Sequence, residues 1–182
     1  AAVCSFYATK VITSGGEGGM VLTDDEGLAQ RVRALREYDG QPADRPRWNY
    51  KLTDVGAAIG RVQLQRLPEL LERRRSLAAR YDEANSRWLA SRAPADTRDI
   101  SYRYVLSVAP DRLAASLAAF DSLGIAARQP VGYSLHDALQ LDGNFPGTQQ
   151  MVDSALSLPL YPALSDDQAQ RVIAAADEVI AA

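Results

Sequence analysis

Lys10 is the residue around which reactive chemistry can be built. It is one of two lysines, with Lys51, in a chain whose other cationic side chains are arginine. Arginine keeps its proton in a protein, so only lysine becomes the free amine that condenses with an aldehyde. Lys10 closes the run Ser5-Phe6-Tyr7-Ala8-Thr9-Lys10 and precedes Gly15-Gly16-Glu17-Gly18-Gly19. A hydroxyl at Ser5 and a loop whose glycines let the backbone approach a ligand would complement a phosphate-bearing cofactor. A lysine near a glycine pair, taken alone, is far more often a solvated charge beside a turn. The order of further segments along the chain therefore carries the weight.

Other groups with chemical potential are few. Asn49 lies in Trp48-Asn49-Tyr50-Lys51, where an isolated loop asparagine caps a backbone group about as often as it meets a ligand. His136 is the single histidine and Cys4 the single cysteine. That count rules out an internal disulfide and cannot build the usual zinc site, so no metal is expected. A Cys4/His136 nucleophilic pair is formally available, but Cys4 sits in an apolar run, where a thiol is commonly buried and inert. Arg73-Arg74-Arg75 has the look of a nucleic-acid handle. Three consecutive positions point three ways on a helix, so a solvated face is expected instead.

The elements that must position these groups follow from periodicity. Ala1-Ala2-Val3-Cys4-Ser5-Phe6 reads as a strand of the kind buried on both faces of a parallel sheet. Gly19 to Thr23 reads as a second strand, making a hairpin-like unit across the glycine loop. Leu28, Val32 and Leu35 predict a helix over 26–38, stopped by Asp39-Gly40. A loop with Pro42 and Pro46 follows, long enough to be functional or to cross an interface. Thr53 is a helix N-cap, with Val55, Ile59 and Val62 on one face of a helix to about Arg66. Pro68 suits the first turn of another, running through Leu77 and Tyr81 towards Trp88. After an Ala/Pro/Asp-rich stretch near 91–97, alternation over 100–108 predicts a strand. Pro110 opens a helix closed by Gly124, Ile125 to Val131 is expected to be a short strand, and Thr148 to Ala155 to be helical. Ser165-Asp166-Asp167-Gln168 is a capping box before a final helix. The expected division is 1–90 for the first strands and their helices, and 91–182 for a small α+β domain.

Composition fits an ordinary globular protein, at 47% hydrophobic and 24% charged over 182 residues. Twenty basic against twenty-three acidic side chains, a net charge of −3 and no basic tract make nucleic acid an unexpected partner. The apolar runs are too short for a membrane span and no signal-peptide pattern is visible, so a cytoplasmic location without a membrane partner is expected.

Ser5-Phe6-Tyr7-Ala8-Thr9-Lys10 with Gly16-Glu17-Gly18-Gly19-Met20-Val21 resembles the cofactor-lysine segment of the DegT/DnrJ/EryC1/StrS aminotransferases. The resemblance extends through Trp48 to Asp54, Gly56 to Gly60 with Gln63-Leu64, and Leu156 to Pro162, in the family's order. It implies an α/β fold, the C-terminal part of a fold-type I pyridoxal-phosphate-dependent transferase: the end of the large-domain sheet with its helices, then a small α+β domain. It implies pyridoxal 5′-phosphate held as an aldimine on Lys10, with Ser5 as phosphate ligand in cis and Asn49 as the ligand reaching the partner subunit's cofactor. Lys51 becomes an interface or phosphate-proximal charge, and His136 in Ser134-Leu135-His136 lies near the substrate. The implied reaction moves an amino group from an amino-acid donor to a nucleotide-linked keto sugar. A homodimer is implied, or a complement supplying an N-terminal half. The family's ring-nitrogen aspartate and its stacking aromatic precede the lysine, so this chain alone is expected to be inactive. The alternative is a non-catalytic remnant serving as a dimerisation or binding module.

Overall fold

The computed structural model describes residues 1–40, 42, 44–84, 88–91, 97 and 99–181. By their contacts they form two compact units, Ala1–Leu70 and Leu71–Ala182. The compositional change near 91–97 lies largely outside the described residues.

In the first unit β1 (Ala2–Ser5) pairs antiparallel with β2 (Gly19–Leu22), with Val3 opposite Val21. The hairpin-like expectation holds; the burial on both faces expected of β1 calls for sheet neighbours that the described residues do not supply. Val3 is 82% exposed and every β2 residue is exposed. Each strand of a two-stranded sheet has one partner and an open edge, and such a sheet is marginal by itself.

Helix α1 (Glu26–Arg36) is capped by Asp25, whose side chain accepts from Leu28 N–H at 3.0 Å. Glu26 in its first turn and Arg33 and Arg36 in its last complement the helix dipole. It ends two residues short of the expected Tyr38, because Glu37 is extended (φ −106°, ψ 117°). Helix α2 (Asp54–Gln65) starts where expected: Thr53 Oγ1 accepts from Gly56 N–H at 3.1 Å. Its Val55, Ile59 and Val62 face is 39–72% exposed.

Helix α3 (Leu67–Ala84) contains the contact division and ends before Trp88. Its Leu77, Ala78 and Tyr81 stripe enters the core of the second unit. There β3 (Leu89–Ser91), β4 (Tyr104–Ser107) and, later, β5 (Ala155–Leu158) form an antiparallel sheet in the order β3-β4-β5. Between β4 and β5 lie α4 (Leu113–Ser122), the four-residue α5 (Leu135–Ala138) and α6 (Pro146–Ser154), and α7 (Asp166–Ala181) follows β5.

Strand β4 is shorter than the predicted 100–108 because Ser101 takes a left-handed conformation, φ +48°, which breaks the pleat. The predicted strand over 125–131 is a single bridge, Arg128 to Ser157, with N–H···O distances of 3.0 and 2.7 Å. Strand β5, which begins at the Ala155 expected to end a helix, is the sheet's buried edge, with all four residues inside.

Tyr81, Phe120, Leu77, Leu106, Leu156, Leu158 and Val172 are almost fully enclosed. Each such burial contributes about 1.5–3 kcal/mol. The capping box is present: Ser165 Oγ accepts from Gln168 N–H at 3.2 Å, and Gln168 Oε1 accepts from Ser165 N–H at 2.9 Å.

Candidate active site

Lys10 stands on a tight turn immediately after β1. Its backbone N–H donates to Tyr7 O at 3.0 Å, and the Ser5 hydroxyl accepts from Tyr7 N–H at 3.4 Å. The returning loop is fastened beneath this turn. Phe6 N–H donates to Gly18 O at 2.8 Å, Ser14 N–H to Phe6 O at 3.0 Å, and Ser14 Oγ to Glu17 O at 2.8 Å. Ser14 is 4% exposed and serves as the pin of the loop. Two glycines are required by packing within the unit. Gly15 has φ +89°, and a Cβ there would lie 2.9 Å from Ile59 Cδ1. A Cβ at Gly18 would collide with Ser14 Oγ. Gly16 faces open space. The glycine pattern thus first closes the loop against α2, and at Gly16, bridged to Tyr7, leaves room for a side chain beside the lysine turn.

Asn49 and Lys51 lie elsewhere in the same unit. They line a groove of about 1050 Å³ between β2, α1 and residues 48–53, whose walls do not include Ser5 or Lys10. The groove's far wall is held to α1: Trp48 N–H donates to Leu35 O at 2.8 Å and Arg47 Nη1 to Ala34 O at 2.8 Å. Trp48 and Tyr50 stack across Asn49, with centroids 5.9 Å apart and planes within 6°. Lys51 Nζ bonds Glu37 Oε1 at 2.9 Å and lies 5.1 Å from the Tyr38 ring centre. That hydrogen bond lowers the Glu37 pKa and raises that of Lys51. Lys51 is therefore committed to an ion pair. The Lys10 amine, among the described residues, has no hydrogen bond or ion pair.

In the second unit His136 Nε2 lies 3.2 Å from Ser134 Oγ and 3.5 Å from Asp137 Oδ1. Its ring stacks on Phe145 at 4.6 Å, and 16% of its side chain is exposed. Ser134 is also the N-cap of α5.

Arg74 corrects the expectation of a solvated arginine run. It is 6% exposed, and its Nη1 donates to Ser101 O (3.3 Å), Tyr102 O (3.1 Å) and Leu160 O (3.1 Å). Burial pushes its pKa down. The signal was available in the sequence: Arg74, Leu77, Ala78 and Tyr81 fall at helical spacing on one stripe. Arg73 and Arg75 do keep to the surface side, bonding Asp166 and the Asp99 carbonyl.

The donor set around Lys10 fits a phosphate-bearing aldehyde: an uncommitted primary amine, a hydroxyl five residues earlier at the strand end, and empty space where Gly16 lacks a side chain. These features are those of an α/β protein with a candidate amine-based site on a strand–turn.

The chain belongs to the DegT/DnrJ/EryC1/StrS aminotransferase family, whose description matches residues 1–177. It is 33% identical to GDP-perosamine synthase of Caulobacter vibrioides, over 98% of the chain and 52% of that relative. It is 34% identical to dTDP-3-amino-3,4,6-trideoxy-alpha-D-glucose transaminase of Micromonospora megalomicea, over 99% and 52%. Among solved structures, the aminotransferase TlmJ from Streptoalloteichus hindustanus superposes with a TM-score of 0.87 at 32% identity, over 98% of the chain and 51% of TlmJ. The chain spans about half the length of the relatives it matches.

Proposed function

We propose that this chain is the lysine-bearing half of a pyridoxal-phosphate-dependent aminotransferase acting on a nucleotide-linked keto sugar, with an amino acid as donor. The observation that carries the reading is the free amine of Lys10 on its strand-end turn, within a family match that runs the length of the chain. The two curated relatives named above support the substrate class by their own names.

When bound, pyridoxal phosphate supplies the electron sink that lets an amino group leave one carbon and join another. The chain's own residues do the rest. Lys10 would hold the cofactor through its side-chain amine, and the same amine would move a proton to and from the reacting substrate carbon. Ser5 Oγ–H would donate to the phosphate in a charge-assisted bond. Asn49, between Trp48 and Tyr50 in sequence, whose rings stack on each other, would reach the corresponding site of a second subunit. Lys51, through its pair with Glu37, fixes the segment that carries Asn49. The Ser14 pin keeps the turn rigid, so the amine is presented without local reordering.

Several large apolar side chains of the first unit are exposed, among them Val55 (72%), Val62 (56%) and Leu22 (50%). This favours a unit that is completed by further protein, both the remaining half of the fold and a second subunit. A cytoplasmic location goes with this reading; no described helix is long and apolar enough to cross a membrane.

The test is amino transfer by the native polypeptide that carries this sequence, using glutamate and a nucleotide-linked keto hexose. Lys10→Ala abolishes turnover, and Lys10→Arg does the same. Unchanged turnover in Lys10→Ala refutes the reading.

A further inference from the structure

The start of α5 fixes where the single histidine carries its proton. Ser134 Oγ lies 2.5 Å from Asp137 Oδ2 and 3.2 Å from His136 Nε2, and accepts Asp137 N–H at 3.2 Å. A hydroxyl has one hydrogen, and a carboxylate can only accept. The hydrogen of Ser134 therefore goes to Asp137, along the shortest and charge-assisted bond. Towards His136 the same oxygen is left as an acceptor. The other group beside Nε2, Asp137 Oδ1 at 3.5 Å, is an acceptor too. Two acceptors face Nε2, so Nε2 carries hydrogen. Ser134 is 2% exposed, which keeps water from substituting for it, and the Phe145 ring holds the imidazole plane.

This is not a hydrolytic triad, although Ser, His and Asp meet. In a triad the imidazole touches the nucleophile and the carboxylate through different nitrogens. Here one nitrogen faces both, and Ser134 is enclosed at a helix cap.

We propose that Ser134 and Asp137 are positioning residues that hold neutral His136 in its Nε2–H form, presenting the Nδ1 lone pair as an acceptor for a ligand hydroxyl or amine. Nδ1 has no partner among the described residues, yet Arg74 Nε is the buried side-chain atom there that lacks one. Nδ1 is thus reached from outside. A hydroxyl-rich sugar is the ligand this acceptor meets; that identity rests on the proposed function, whereas the tautomer does not.

One histidine gives one imidazole signal pair, so long-range proton–nitrogen correlation on the nitrogen-15-labelled chain reads the tautomer directly. With the ring neutral, Nε2 is expected to be pyrrole-like and Nδ1 pyridine-like, without the averaging seen in a peptide of residues 133–139. Ser134→Ala and Asp137→Asn shift both nitrogens towards the peptide values, and Ser134→Thr, which keeps hydroxyl and cap, restores them. A peptide-like average in the unaltered chain, an Nδ1–H form, or variants with unmoved shifts overturns the proposal. In the native polypeptide Ser134→Ala is expected to raise KM for the keto-sugar nucleotide about 2- to 10-fold with kcat nearly unchanged, the range of one hydrogen bond. An unmoved KM beside moved nitrogen shifts overturns the ligand role alone. No amino transfer by the unaltered enzyme overturns the proposed function and leaves the tautomer standing.

Discussion

Replacing Arg74 with methionine keeps the apolar stem and removes the guanidinium, so it isolates what the buried charge contributes. Nη1 has two hydrogens for the three carbonyls around it, Ser101, Tyr102 and Leu160. Two bonds from a charged donor contribute about 1.5–3 kcal/mol each. Against this stands the buried Nε, which has no partner and costs about 1–3 kcal/mol. The net expected loss is about 2–3 kcal/mol, concentrated where Ser101 is held at φ +48°. Trp88, 5% exposed, reports on this unit once Trp48 is changed to phenylalanine. With a urea slope of about 1–3 kcal/mol per molar, the midpoint falls by about 1–2 M. Arg75→Met is the control. Arg75 bonds one exposed carbonyl, that of Asp99, and its loss stays within about 0.5 kcal/mol. A midpoint for Arg74→Met that matches the control refutes the reasoning, since the burial cost would then cancel the bonds.

Ser165→Ala removes half of the box that starts α7 and lowers stability by about 1 kcal/mol in the same urea experiment. Gly15→Ala places a Cβ 2.9 Å from Ile59 at φ +89°, and costs at least about 1 kcal/mol; it shows as faster proteolysis within residues 6–18. The Glu37–Lys51 pair sets a pH window. Glu37 has its pKa lowered on folding from an ordinary 4.5, so its contribution is complete above that value and disappears as pH falls through the lower folded one. Lys51 has its pKa raised, so its contribution is complete below its ordinary 10.5 and disappears above the folded value. Trp48 fluorescence should therefore be flat between those limits and change on acidification, and Glu37→Gln should remove the acid step. High salt should flatten it as well.

Much of this structure is written locally. Thr53, Asp25 and the Ser165–Gln168 box state their helix starts outright, because a capping side chain needs only the three residues after it. The lysine turn and its glycines are equally legible by resemblance. Other features depend on distant chain. Strand β5 carries two prolines just beyond it and shows as a strand only once β4 lies alongside. The alternation over 100–108 is broken by Arg74, which takes the carbonyls of Ser101 and Tyr102 from 27 and 28 residues away. The exposure of β1 and of the α2 face is not legible in the periodicity, which marks both as apolar whether or not this chain covers them.

On the proposed function Lys10, and not Lys51, is the amine that would hold the cofactor. The most direct measurement is borohydride reduction of the native polypeptide with pyridoxal phosphate, followed by peptide mapping at the chain's two lysines. The account predicts a reduced pyridoxyl adduct on the Lys10 peptide, absent in Lys10→Ala, while Lys51 stays unmodified in its pair with Glu37. Equal labelling of both lysines, or labelling of Lys51 alone, contradicts it.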